Sequence, residues 1–392
     1  RVLEVAEDIK PEKGDRVIDC EELLVVPGLI DMHLHLGDLF ETSSAPIFES
    51  VAHGVTMGLS PGAGNTLPAP SLLGAEVDRG VPMNVGLYLG AAGVLVNRAS
   101  TEELIAYFKG ELSEEVGFQR LTRNGIVYQT ANLIMGVKDH MGHFLLDDEA
   151  FDKCFDITNE AKLIFMTHTQ DPDHAERVVG LSDGRPIHLG HATAAGCGTH
   201  GDAKESMERI NALLEQPHVT GEYVTAMLRP GRGTREGLLM PKEAQELAYQ
   251  ALKDKLVDVL ISDGQGDATM KGFADSRENV PCLIELAELG VLSLSDSIAT
   301  MTCNPARLIG QCTGQDWWTK ELGHLGSGAR ANVTIIDPLD KLATITIVNG
   351  VVAGFEDRFV RESAGAGMWV SKFGLLKRTG VGDLPLWAYH GI

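Results

Sequence analysis

At 392 residues and 44% hydrophobic content, the chain is long enough for one large α/β barrel with a small companion domain, or for two to three ordinary domains. Its 33 Lys and Arg face 55 Asp and Glu, and the net charge of −22 repels phosphate backbones and anionic lipid, which argues against nucleic-acid and membrane-surface partners. No apolar run approaches the roughly 20 residues of a membrane span. Six scattered cysteines (Cys20, Cys154, Cys197, Cys282, Cys303 and Cys312), with no C-x-x-C pair, fit a reducing cytoplasm. The opening RVLEVAEDIK has neither an initiator Met nor the apolar core of a signal peptide, so a processed or shortened chain is expected.

The first predicted strand is LLVVPGLIDMH (23–33), which runs into the HLH of His33 and His35. Side chains two apart on a strand share a face, so these imidazoles project together where the strand ends. Seven further strands follow as apolar, β-branched runs: GVTMGLS (54–60), PMNVGLYLG (82–90), ANLIMGVKD (131–139), KLIFMTH (162–168), PIHLGH (186–191), HVTGEYVTAM (218–227) and LVDVLISD (256–263). Helices are predicted in STEELIAYFKGEL (100–112), DEAFDKCFDITNEA (148–161), HGDAKESMERINALLEQ (200–216) and MPKEAQELAYQALKDKL (240–256). After a helical region through SDSIATMTCNPARLIG (295–310), the texture turns to β in ANVTIIDPL and ATITIVNGVVAGF. Residues 27–324 are therefore read as an α/β domain, a (β/α)8 TIM-like barrel. Residues 1–26 and 325–392 are read as a small β-domain and tail built from both chain ends, with no assignment for the tail from Trp369 onward.

A barrel βα unit takes about 30 residues. The intervals His35–Lys138, Lys138–His168, His168–His191 and His191–Asp263 are 103, 30, 23 and 72 residues, which places these side chains on strands 1, 4, 5, 6 and 8. Each sits at the C-terminal end of its strand, where barrel active sites form. Taken singly, every one has another reading. His33 and His35 could be a buried structural pair; Lys138 could face solvent with Asp139 or His140 ligating in its place; Asp263 could cap a helix. His140 and His143 are candidates to touch substrate, or solvated loop histidines. His188, three before His191, falls on the opposite strand face and is read as structural. The loop LRPGRGTREG carries Arg229, Arg232 and Arg235 in an acidic chain, and guanidinium suits bidentate carboxylate recognition. One of the three is thus expected to contact an anionic substrate, with Arg229 and Arg232 put forward and Tyr223 of the preceding strand beside them. Trp317 and Trp318 are read as domain-interface packing.

Together, GLIDMHLH, GVKDHM, THTQD, LGHAT and ISDGQ resemble the strand-1, -4, -5, -6 and -8 signatures of the amidohydrolase superfamily of metal-dependent hydrolases. TCNPARLIG and GSGARANVTIID resemble its closing helix and its return to the small β-domain. The GVK context is closest to the dihydroorotase, isoaspartyl-dipeptidase and N-acyl-amino-acid deacetylase branch. One departure is that only 26 residues precede the strand-1 motif. The resemblance implies two divalent ions, zinc being the expected metal. His33, His35 and Asp263 would hold one and His168 and His191 the other, with Lys138, carboxylated by CO2, bridging both. A bridging hydroxide would attack the carbonyl while Asp263 moves the water's proton to the leaving nitrogen. The expected reaction is hydrolysis of a C–N bond in a cyclic amide, an N-acyl amino acid or a dipeptide, in a cytoplasmic homo-oligomer acting on a small anionic substrate. A heterocycle deaminase of the same superfamily is the alternative. It is disfavoured because deaminases commonly use one metal and a glutamate shortly after strand 5, where this chain has TQDPDHAE. A barrel that has lost its chemistry is the third reading.

Overall fold

The computed structural model describes residues 1–36, 47–62, 65–140, 146–265, 275–360 and 365–376; His143 lies outside them. The apolar run at 23–33 is not one strand. Pro27 has no N–H for a ladder, and a Cβ at Gly28 would lie 2.3 Å from Thr56 Oγ1, so only glycine passes there. The chain divides into β1 (Leu24–Pro27) and β2 (Leu29–Asp31), which enter different sheets.

From β2 the barrel continues through β3 (Val55–Ser60), β4 (Asn84–Gly90), β5 (Gly136–Asp139), β6 (Ile164–His168), β7 (Ile187–Gly190) and β8 (Val219–Gly221), each parallel to the one before. All residues of β3 to β7 are buried, as strands covered on both faces require, and this is why they read as unbroken apolar runs. After Glu222 the seventh barrel strand resumes as β9 (Tyr223–Val224). A short hairpin follows, β10 (Thr234–Arg235) with β11 (Leu238–Leu239), and then β12 (Leu260–Ile261), which pairs in parallel with β9. A parallel bridge from Leu34 to Gly264 links the end of β12 to the end of β2, bringing the last barrel strand back to the first.

Helices cover this sheet where polar caps start them. Ser100 and Glu103 form a reciprocal capping box for Thr101–Lys109, and the carboxylates of Asp147, Asp171 and Asp202 accept first-turn N–H groups of Asp148–Ala161, Pro172–Ser182 and Ala203–Leu214. Lys242–Lys253 falls within the last predicted helix. Among the described residues no helix is long and apolar enough to cross a membrane.

β1 also edges an antiparallel sheet with β13 (Val333–Asp337), β14 (Leu342–Val348), β15 (Val351–Phe355) and β16 (Arg358–Phe359). Asn349 and Gly350, both at left-handed φ (50° and 86°), make the two-residue turn between β14 and β15. Residues 1–23, expected to help build this sheet, form no strand.

The tail supplies what the sequence left unassigned. β17 (Trp369–Ser371) and β18 (Gly374–Leu376) form a hairpin, and β17 pairs in parallel with the start of β4, Trp369 opposite Val85. This hairpin therefore joins the barrel sheet and not the small one. Buried Lys372 donates to the carbonyls of Phe108 (2.8 Å) and Ala161 (2.9 Å), and Trp318 Nε1 donates to Lys372 O at 3.3 Å, so the Trp317–Trp318 pair meets the hairpin. Trp369 is fully buried at the opposite end of β4 from the strand's C-terminus. Trp369→Ala is expected to lower the free energy of unfolding by about 3–5 kcal/mol, read from the urea midpoint, with kcat of the folded protein unchanged. A fall in kcat without a shift in midpoint would contradict this placement.

Candidate metal centre

His33 and His35 follow β2, Lys138 lies on β5, His168 ends β6, and His191 and Asp263 follow β7 and β12. The structure brings all six together, each 9% exposed or less. The imidazoles form a row: ring centroids are 5.4 Å apart for His35–His33, 5.1 Å for His33–His191 and 4.4 Å for His191–His168, and His140 extends the row at 5.3 Å from His168. Asp263 Oδ1 lies 3.2 Å from His35 Nε2 and 3.3 Å from His33 Nε2; Lys138 Nζ lies 2.8 Å from the same His33 atom. His191 and Asp263 take left-handed φ angles of 40° and 51°, unusual for side-chain-bearing residues and typical of sites whose surroundings over-determine them.

Burial sets the protonation of this cluster. It lowers His33, His168 and His191 below the ordinary imidazole range, helped by the Lys138 charge at His33, by Arg235 at His168 and by His168 at His191. These rings are therefore neutral, the form that donates a lone pair. Burial pushes the Asp263 carboxyl up, but His33, His191, the bond from His35 and the charge of Arg235 together hold it well below the usual carboxylate range.

The donor atoms of His33, His35 and Asp263 all lie within 4.8 Å of one another. His168 Nδ1 is buried with no hydrogen-bond partner among the described residues, and a buried lone pair left unsatisfied costs about 1–3 kcal/mol. A borderline cation is what neutral imidazole and carboxylate donors suit, so the residues fit a metal.

Sequence reading missed Glu222 and Asp31, and among the three loop arginines it did not put Arg235 foremost. Glu222, the one charge inside HVTGEYVTAM, accepts from His33 Nδ1 and from the His191 backbone N–H; a lone carboxylate in an apolar run was the available signal. Asp31 accepts from the N–H groups of His33 and Ser262 and from Asn279 Nδ2, binding the end of β2 to that of β12; burial pushes its carboxyl up to about 7. Arg235, 1% exposed, donates to Asp263 Oδ2 (3.2 Å), to His191 Nδ1 (3.3 Å) and to Gln170 Oε1 (3.2 Å).

Arg229 and Arg232 are not among these residues. Arg229 is turned onto Glu278 and Glu285, and Arg232, its side chain 58% exposed, lies 3.9 Å from Glu278. The Tyr223 hydroxyl donates to Asn211 Oδ1 on the helix Ala203–Leu214. His188 is no bystander, because its Nε2 meets Glu222 Oε2 at 3.1 Å. Strict alternation separated His188 from His191, but β7 ends at Gly190 and the left-handed turn at His191 breaks that alternation.

Comparison with known proteins gives the family and the fold. Among similar proteins are the dihydroorotases of Geobacter metallireducens, 23% identical over 398 residues covering 88% of this chain and 86% of that protein, and of Aquifex aeolicus, 24% identical over 374 residues covering 82% and 80%. Among solved structures, a D-hydantoinase superposes with a TM-score of 0.67 at 16% identity, covering 95% of this chain and 94% of its own. The β-aspartyl dipeptidase of Fervidobacterium islandicum does so with 0.63 at 14% identity, covering 92% and 91%. At these identities the structural likeness is one of fold. Residues 24–358 match the model of the amidohydrolase family, a span that takes in every strand of the barrel and all six clustered residues, and the chain belongs to that family.

Proposed function

We propose that the protein hydrolyses a C–N amide bond of a small cyclic amide or dipeptide-like substrate at a two-metal centre. The supporting observation is the buried convergence of four histidines, three of them held neutral by burial, with an ionised aspartate and a lysine at the ends of five barrel strands. His33, His35 and Asp263 would hold one ion, His168 and His191 the other. Lys138 as an ammonium has no lone pair to give; carboxylated by CO2, it would offer two oxygens to both. Two divalent ions there would supply polarisation of the scissile carbonyl and a water pKa near neutrality. Asp263 takes the proton of the attacking water and returns it to the leaving nitrogen. Relatives named dihydroorotase, D-hydantoinase and β-aspartyl dipeptidase direct the choice of substrate to ring amides and β-aspartyl dipeptides. Arg235, fully buried beside Asp263, is the guanidinium suited to a substrate carboxylate, in place of Arg229 and Arg232. The absence of any disulfide among the six cysteines supports a cytoplasmic setting.

Metal analysis of the purified protein, with hydrolysis assays on dihydroorotate, hydantoins, dihydropyrimidines, N-acyl amino acids and β-aspartyl dipeptides, tests the reading. About two zinc-class ions per chain and turnover of at least one substrate are expected; a protein without metal, or one releasing ammonia from heterocycles at a single ion, overturns it. Lys138→Ala is expected to lose most metal and activity, with both partly restored by formate or acetate and not by chloride, because two carboxylate oxygens are required and not charge alone. Asp263→Asn is expected to keep much of the metal while kcat falls about 10²–10⁴-fold, the usual contribution of a general acid–base group. Arg235→Met is expected to lower kcat/KM for an anionic substrate roughly ten- to a hundredfold, as for loss of a hydrogen bond to a charged group, whereas Arg232→Met, at an exposed side chain, leaves it near wild type.

A further inference from the structure

Glu222 lies between β8 and β9, fully buried, and the reaction as described gives it no task. Its two oxygens nevertheless receive three donors. Oε1 accepts from His33 Nδ1 and, at 3.1 Å, from the His191 backbone N–H; Oε2 accepts from His188 Nε2 at 3.1 Å. His188 is held from its other side, with Nδ1 2.9 Å from Thr220 Oγ1. The backbone repeats the connection: Ala192 N–H donates to Glu222 O at 2.9 Å, and Glu222 N–H to Leu189 O at 3.1 Å.

A carboxylate oxygen has no hydrogen to give. The contact therefore requires the ring proton of His33 on Nδ1 and leaves the lone pair on Nε2, the atom beside Lys138 Nζ and Asp263 Oδ1. The same Oε1 holds the N–H of His191, whose left-handed backbone carries the imidazole off the end of β7. We infer that Glu222 is the positioning residue of the centre: it sets the tautomer of His33 and the backbone turn of His191, while His188 clamps its second oxygen. One carboxylate thereby governs ligands assigned to two different ions. The inference rests on the two-metal reading proposed above.

Glu222→Gln keeps the size and one acceptor oxygen, removes the charge, and presents an amide NH2 to His188 Nε2. The test is the affinity of the full-length protein for Zn2+, measured by competition with a chromophoric chelator, beside the urea midpoint and the visible absorption of the Co2+ form. Zn2+ binding weakened about 10–100-fold is expected, with a near-native urea midpoint, an altered Co2+ spectrum and, at saturating zinc, a lower kcat at unchanged KM. Zn2+ affinity equal to wild type in Glu222→Gln overturns the inference while leaving the metal reading intact; a wild-type protein that binds no Zn2+ overturns the metal reading and this inference with it. Should Glu222→Gln fail to fold, His188→Asn withdraws only the clamp and carries the test. Zn2+ binding weakened by up to about tenfold then supports the inference, and unchanged affinity overturns it.

Discussion

Asp263, Glu222, Lys138 and Arg235 are each at most 1% exposed in one barrel mouth, and supplying each of these buried ionisable groups with close partners is the constraint on which the site depends. An ion moved from water into a protein interior loses several kcal/mol of hydration even after relaxation, and only close partners return it. Here the partners are distributed so that none belongs to the same strand as its charge. Asp263 after β12 meets Arg235 of the β10–β11 hairpin; Glu222 of the seventh barrel strand meets His33 after β2; Lys138 on β5 meets the same histidine. Strands must come together in the correct order for any of these charges to be tolerated. Asp31 adds the seam, tying the ends of the first and last barrel strands through Ser262 and Asn279.

The strand-7 loop shows how two similar arginines acquire different duties. Arg229 is gripped by Glu278, which precedes the helix Asn279–Glu288, and by Glu285 in its last turn, and this fixes the start of the loop. Six residues on, the hairpin can then deliver Arg235 to Asp263, where Gln170 steadies it from the end of β6. Gln170 is itself braced by Thr199 and Glu236. One arginine anchors and the other reaches.

Much of this was legible from sequence because period and spacing carry it. Unbroken apolar runs mark strands buried on both faces, an interval of about 30 residues counts βα units, and a histidine or aspartate closing such a run is aimed at the barrel mouth. His33, His35, His168, His191 and Asp263 followed from that logic, Lys138 from the spacing and the resemblance of GVKDHM, and all six lie together. What was not legible depends on pairing in three dimensions. Nothing in LRPGRGTREG says which arginine will find Glu285 and which Asp263. Glu222 and His188 take their meaning from residues some thirty to nearly two hundred positions away. The split at Pro27–Gly28 hid inside one apolar run, and WVSKFGLL was unreadable because a strand adding to a barrel's base needs no period distinct from that of any short buried segment.

The pairing of β1 with β13 carries a consequence for how the molecule is made. Leu24 sits opposite Ile336, so the small sheet joins segments whose synthesis, at the usual 5–20 residues per second, is separated by roughly 15–60 s. Trp369 likewise reaches back to Val85. Contacts this remote slow folding, since loop closure must be completed before they contribute. The HLH segment accordingly leaves the ribosome long before the Asp263 that shares its proposed metal ion. When they emerge, His33 and His35 have none of the side chains that hold them in the folded chain, since Lys138, Glu222 and Asp263 are still to be made.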